Sequence, residues 1–360
     1  MLRFLTAGES HGPCLTAIVE GLPAGLPIDT AAVDRELARR QGGYGRGERM
    51  AQEHDQVEIV AGVMAGQTTG APVALRIENR DWANWRERWN RGELPAMPIP
   101  RPGHADYAGM VKYGLADARP VLERASARET AARVAVGALA KQLLAAAAIA
   151  VGSYVEAVGE VSAAPLDLPP HQLWELAEQN DMRCPDLEAA QRMRQAIDAA
   201  RQAGDTLGGV FVIMATGVPA GLGSHVHWDR RLDAQLAAAV MSIPAVKGVE
   251  IGPAFANARC LGTQVHDELF PTGQGGVAHR TNRAGGVEGG MSNGEVVVVR
   301  AAMKPIPTTR TPRQSVDMQT GQPAQTAYQR SDICAVPAAA VVGEAMVAWV
   351  LANAWLERAR

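Results

Sequence analysis

Apolar residues along this chain fall into two kinds of pattern. Short runs rich in β-branched residues, bounded by turn-forming residues, sit at 15–20, 57–60, 72–78, 153–161, 209–215 and 295–303, and they predict strands. Two long Ala/Val-rich stretches, at about 126–149 and about 337–358, predict long helices. A third stretch, about 166–203, is helical in pattern but polar, and looks like an insertion. Strands recur in groups between helices rather than alternating with them. The expected fold class is therefore α+β, with antiparallel sheets packed on helices, rather than a doubly wound parallel sheet.

The pattern also repeats. Ile18-Val-Glu-Gly-Leu-Pro-Ala-Gly-Leu26 is echoed by Met214-Ala-Thr-Gly-Val-Pro-Ala-Gly-Leu222. Each echo leads to a helix with a similar opening, Asp34-Arg-Glu-Leu37 and Asp229-Arg-Arg-Leu232. A glycine turn and a strand follow in both halves, then one of the long helices. The shared order makes internal duplication the better reading: one domain of two pseudo-repeats, about 1–160 and 205–360, with the insertion between them. Four long segments, 41–56, 79–105, 270–292 and 304–332, show neither period. All carry Arg, His or Lys among glycines and prolines, which points to active-site loops.

Composition narrows the function. The chain has 360 residues and is 47% hydrophobic, ample for a large core. A net charge of -3 gives no whole-protein field for nucleic acid or an anionic membrane. Only four of the 35 Lys+Arg residues are lysine (Lys112, Lys141, Lys247 and Lys304). Arginine's planar fork suits carboxylate and phosphate, although a GC-rich genome explains most of the excess. The four cysteines form no C-x-x-C pair, so neither a zinc site nor a disulfide framework is expected. The most apolar stretch, 134–151, contains Lys141 and Gln142 and reads as a buried helix rather than a membrane span. With no signal-peptide pattern at the N-terminus, a cytoplasmic location is expected.

Several segments could carry chemistry. Gly8-Glu9-Ser10-His11-Gly12 matches G-x-S-x-G, the nucleophile elbow of serine hydrolases, but Pro13 and a strand-like run follow where the elbow requires a helix. His11, between close-approach glycines, is a candidate proton donor. Arg101-Pro102-Gly103-His104-Ala105-Asp106 holds a second histidine in a rigid turn beside a carboxylate able to orient it. Ser126-x-x-Glu129 reads as a capping box opening the long helix, whose N-terminus, flanked by Arg124 and Arg128, would attract phosphate. Arg39 to Arg46 places arginines around a flexible turn. Lys304-Pro305-Ile306-Pro307-Thr308 and Gln329-Arg330-Ser331-Asp332 add one cation each. His225 and His227 lack a usefully spaced third ligand, so no metal site is expected. Trp82, Trp85 and Trp89 have near-helical spacing among arginines; they suit a packed aromatic face better than single-stranded nucleic acid.

Taken in order, these segments, together with Val246–Ile251 and the glycine at 252, Asn282 to Ser292 and Arg330-x-Asp332-x-Cys334, resemble the chorismate synthase family nearly end to end. The resemblance implies a β-α-β sandwich with internal duplication, usually a homotetramer. It implies an anti 1,4-elimination that turns 5-enolpyruvylshikimate 3-phosphate into chorismate and phosphate. The reaction requires reduced FMN without net redox change, the protein supplying binding, orientation and electrostatics. By resemblance, His11 protonates the departing phosphate, His104 stabilises or protonates the reduced flavin, and Asp332 assists proton removal. Arg40, Arg46, Arg101 and Arg330 clamp the substrate with Ser10. Arg124, Ala125, Ser126, Pro244, Ala245, Gly289, Lys304, Pro305, Ile306, Pro307, Thr308 and Arg330 hold FMN. Two positions depart from the family pattern: Pro244 stands where Asn or Gln is frequent, and Ser331-Asp332-Ile333 where His-Asp-Pro is frequent. No reductase domain is evident, so an external flavin reductase or other source of reduced FMN is expected; the family is also associated with NADP.

Overall fold

The computed structural model describes residues 1–47, 53–273 and 276–358. Its first half lays down β1 (Arg3–Ala7), β2 (Cys14–Glu20), β3 (Val57–Ala61) and β4 (Val73–Glu78). They form an antiparallel sheet in the order β1-β2-β4-β3. Period-two alternation makes that sheet one-sided. Leu15, Ala17 and Val19 of β2 and Val73, Leu75 and Ile77 of β4 are buried, while Ile18 and Glu20 face out. The second sheet contains β5 (Ala150–Val158), β6 (Val161–Ser162), β7 (Gly209–Thr216), β8 (Val246–Ile251) and β9 (Val297–Met303), in the order β8-β9-β7-β5-β6, again antiparallel.

Apart from one-turn pieces, the helices are α1 (Thr30–Gln41), α2 (Trp82–Arg91), α3 (Asp106–Tyr113), α4 (Arg119–Ala125), α5 (Thr130–Ala145), α6 (Pro170–Glu178), α7 (Leu187–Gln202), α8 (Leu232–Met241) and α9 (Val336–Arg358). Helices α5 and α9 pack on each other between the sheets, flanked by α1 and α8. Small residues allow this closeness. A Cβ on Gly137 of α5 would lie 2.3 Å from the Ala345 Cβ of α9, and a Cβ on Gly343 would lie 2.9 Å from Phe211 and Ile213 of β7. Helix α9 is the one described helix long and apolar enough to cross a membrane, yet 78% of its apolar window is buried inside the protein. Phe4 of β1 meets Trp349 of α9 edge-on at 4.8 Å, so the N-terminal strand also rests on the last helix.

The two sheets are wired alike. The course β1-β2-α1-β3-β4-α5 is followed by β5-β7-α8-β8-β9-α9, with equivalent strands in equivalent sheet positions. The echoed Gly-Leu turns are held by the same bonds. Thr68 Oγ1 accepts from Leu26 N and donates to Pro23 O; Ser292 Oγ accepts from Leu222 N and donates to Pro219 O. The second sheet begins at Ala150, so the division expected at about 160 falls inside it.

Other expectations change in detail. The predicted strand at 153–161 is β5 followed by the two-residue β6. The insertion is two helices, α6 and α7, with the buried Met182–Cys184 turn between them. The segment 79–105 contains α2, and the segments 270–292 and 304–332 contain short hairpins such as Gln314–Val316 with Pro323–Gln325. Part of 41–56 lies outside the described residues. The capping box at Ser126 does not form as such. Ser126 Oγ accepts from Arg128 N and opens one 3-10 turn, Ala127–Glu129, but the Glu129 carboxylate accepts from Thr6 Oγ1 and pairs with Arg133.

Candidate active site

A cavity of about 1080 Å³ forms where β1, the Gly8–Gly12 turn, the end of α1, the 101–105 turn, the α4–α5 junction, the α8–β8 turn and the 303–308 and 328–335 segments converge. Its wall is strongly basic: Arg40, Arg46, Arg101, Arg124, Arg128, Arg133, Lys304 and Arg330, against Glu129 and Asp332.

His11 lies just beyond β1, in the turn that joins it to β2. A strand therefore precedes the G-x-S-x-G match, but the next element is an antiparallel strand, so the segment is a hairpin connection and not a nucleophile elbow. The turn folds back because Asn79 Nδ2 donates to Glu9 O and Gly12 O. Gly8 sits at φ +115, where a Cβ would strike Cys14 O at 2.5 Å, so only glycine fits. The His11 imidazole Nδ1 lies 2.9 Å from Glu123 Oε1, and its backbone N donates to Glu123 Oε2 at 2.8 Å. The Trp85 ring of α2 lies across the imidazole, 4.2 Å between centroids. Burial opposes the Glu123 charge, but the bonds and charges of His11 and Arg119 outweigh it and hold the carboxyl below its ordinary pKa. Ser10 is buried and accepts from Ser126 Oγ at 3.1 Å.

His104 is built the same way. Its Nδ1 is 2.5 Å from Asp106 Oδ1, and Asp106 is fully buried. Arg101 grips that carboxylate with its backbone N, Nε and Nη2, and donates Nη1 to Thr308 Oγ1 at 3.2 Å. Burial again opposes the charge, and His104 and Arg101 drive the Asp106 pKa well below the carboxylate range. Arg101 is thus committed to positioning Asp106 and the 304–308 segment while one side borders the cavity.

The remaining arginines divide. Arg40, on the last turn of α1, donates Nε to Thr130 Oγ1 and Nη2 to Ala127 O, and its Nη1 lies 3.5 Å from Asp55. Burial pulls its pKa down to about 9, against the pull of Asp55, so it stays charged at neutral pH. Arg46 donates Nη1 to Asp332 Oδ2 at 2.7 Å, and Gly47 N donates to Asp332 Oδ1. Among the described residues, Arg40 Nη1 and Arg46 Nε have no hydrogen-bond partner although both are buried. By contrast, Arg128 is consumed by Asp55 and Asn79, and Arg124 by Thr6, so the phosphate attraction expected of both at this helix start is spent on protein partners. Arg330 is half-exposed at the rim. Lys304, its pKa lowered by burial and by Lys247, donates its backbone N to Ala245 O. Ala245 is held at φ +68, a conformation that costs an alanine roughly 1–2 kcal/mol.

Of the sequence-expected site residues, the fold gathers Ser10, His11, Arg40, Arg46, Arg101, His104, Arg124, Ala125, Ser126, Pro244, Ala245, Lys304, Ile306, Pro307, Thr308, Arg330 and Asp332 around this one cavity. Two do not line it. Pro305 is exposed and turned towards Gly208, and Gly289 sits at φ +58 in the hairpin joining Val287–Glu288 to Met291–Ser292. Sequence reasoning missed Glu123, Arg119 and the role of Trp85. Glu123 stands one residue before Arg124, but nothing in spacing joins it to His11, 112 positions away. No His, Cys, Asp and Glu grouping among the described residues could hold a metal ion.

The α+β sandwich thus brings together a cationic cavity and two carboxylate-held histidines. The family profile described as chorismate synthase matches residues 2–356. Curated relatives named chorismate synthase include those of Pelobacter propionicus, 56% identical over 99% of this chain and 94% of that protein, and of Moorella thermoacetica, 57% identical over the same shares. A crystal structure of a chorismate synthase superposes with a TM-score of 0.80 at 44% identity, covering 99% of this chain and 92% of the other. The chain belongs to the chorismate synthase family, a family of lyases.

Proposed function

We propose that this protein converts 5-enolpyruvylshikimate 3-phosphate to chorismate and phosphate by anti 1,4-elimination, with reduced FMN in the same cavity. The observation that carries this reading is the pair of buried guanidinium nitrogens without a hydrogen bond, Arg40 Nη1 and Arg46 Nε, in a wall of cations. Each such donor left unmet costs about 1–3 kcal/mol, which an anionic substrate would repay. The cavity volume, about 1080 Å³, exceeds the usual small-ligand range and suits two ligands.

FMN fits the residues present. Ser126, Ala125, Pro244, Ala245, Lys304, Ile306, Pro307, Thr308 and Arg330 form one wall, with cations for a phosphate and backbone for a ring edge. Arg124 borders that wall but is bonded to Thr6. When bound, reduced FMN supplies electron density that eases C–O cleavage and is recovered. Arg40, Arg46 and Arg330 bind the substrate's phosphate and carboxylates. His11 gives its Nε2 proton to the leaving phosphate. Asp332, oriented by Arg46 and Gly47 N, assists removal of the ring proton. His104, oriented by Asp106, holds a proton beside the flavin.

The proposal includes an external source of reduced FMN. Burial of α9 in the core supports a soluble enzyme; a cytoplasmic location and a homotetramer belong to the same proposal. The direct test is anaerobic phosphate release with reduced FMN. His11→Ala should lose about 10²–10⁴-fold of turnover while FMN with substrate still raises the melting temperature; undiminished release removes His11 from the mechanism.

A further inference from the structure

His11 is enclosed by a closed ring of side chains drawn from three parts of the chain. Glu123 of α4 takes both the backbone N and Nδ1 of His11. Arg119, one turn earlier on α4, donates Nη1 to Glu123 Oε1 at 3.3 Å and spends Nε and Nη2 on Pro95 O. The Arg119 guanidinium stands 5.6 Å from the Trp85 ring centre, and Trp85 covers His11. Trp85 is fixed in turn by its Nε1 donating to Asp81 Oδ2 at 3.3 Å. The imidazole is thus held in its plane by a carboxylate and across its face by an indole.

From this geometry we infer that Glu123 is the positioning residue that makes Nε2 the sole ring atom of His11 able to exchange a proton with the substrate. The inference rests on the reading of His11 as the proton donor. Glu123 has to accept twice, from His11 N and from Nδ1–H, and a carboxylate has an acceptor oxygen for each. Once Nε2 has given up its proton, the neutral ring left behind is the Nδ1–H tautomer, the one Glu123 bonds. Donation and orientation therefore favour the same state. An amide in place of the carboxylate has one oxygen and one NH2. If the oxygen keeps His11 N, the NH2 faces Nδ1, turns it into an acceptor and moves the neutral proton to Nε2.

The test uses the full chain, labelled with ¹⁵N-histidine, with and without FMN. In the wild type, neutral His11 should show the Nδ1–H tautomer. In Glu123→Gln the ring nitrogen shifts should move towards the Nε2–H tautomer, and Glu123→Asp should restore part of the original signal. Unchanged tautomer shifts in a folded Glu123→Gln protein overturn the inference. Should that variant not fold, Arg119→Gln, which loosens Glu123 but leaves the carboxylate, should blur the tautomer signal, and a wild-type signal there overturns the inference equally. Turnover separates the two layers. With the tautomer moved, kcat should fall about 10–100-fold while KM stays within about twofold. A moved tautomer with wild-type kcat leaves the positioning of His11 standing and removes His11 as the proton donor.

Discussion

Thr68 and Ser292 place one hydroxyl at the same point in each half, where it closes the echoed Gly-Leu turn. Each joins the backbone N–H of a buried leucine, Leu26 or Leu222, to a backbone C=O of the same turn. Thr68→Val, close in shape, should therefore cost about 1–3 kcal/mol in urea unfolding. Ser292→Ala should cost a similar amount, and a neutral result at both would show water taking over the bonds. The turn itself was legible, because its glycines and proline stand together in the sequence. The hydroxyls were not, since they lie 42 residues from the turn in one half and 70 in the other. The same distance hid Glu123 from His11, whereas Asp106 was readable beside His104 because the pair is local.

At the level of elements, the pattern located the buried helices and the inner strands well, because those are the most strongly patterned runs. It missed β1, a half-buried edge strand of five residues with no turn signal before it. It also missed β8, whose Lys247 and Gly248 break the apolar run. Helix α2 announced itself only through its three tryptophans, none of them fully buried. What fixes the element arrangement is the α5–α9 contact at Gly137. Gly137→Val would drive a side chain into Ala345 and should lower stability by about 1–3 kcal/mol or more, read as a fall in melting temperature. A variant as stable as wild type would show that the two helices can separate without loss.

On the scale of the whole molecule, the cavity exists because loops from both halves meet over α4 and α5, and no local stretch contains it. Its charge balance gives the protein an acid limit. The Glu123 and Asp106 carboxyls have folded pKa values below their unfolded ones, which lie near 3.9–4.3. Such groups stabilise the fold fully above the unfolded value, and that contribution is lost as pH falls through the lowered folded value. Urea midpoints should therefore hold from neutral pH to about 5 and drop below about 4. Asp106→Asn should start lower and fall less steeply, and equal slopes in the two proteins would remove Asp106 as a source of the acid response. The sequence singled out four arginine-, histidine- or lysine-bearing segments as active-site loops; the cavity draws on three of them, and no residue of 270–292 lines it. Which nitrogens are left for a ligand became visible only when Arg124 and Arg128 were found bonded elsewhere.

Helix α9 touches the second sheet, α5, α1 and, through Trp349, the N-terminal strand, with Asn353 accepting from Leu2 N just before that strand. It is also the last of these elements to leave the ribosome. Until then β1 lacks its Trp349 contact, Arg39 and Lys141 lack the buried Glu344 carboxylate between them, and β5 and β7 of the second sheet lack the helix that packs on them. The core therefore cannot close until α9 is made, so a chain stopped before Val336 should expose apolar surface and bind a hydrophobic dye that the full chain does not.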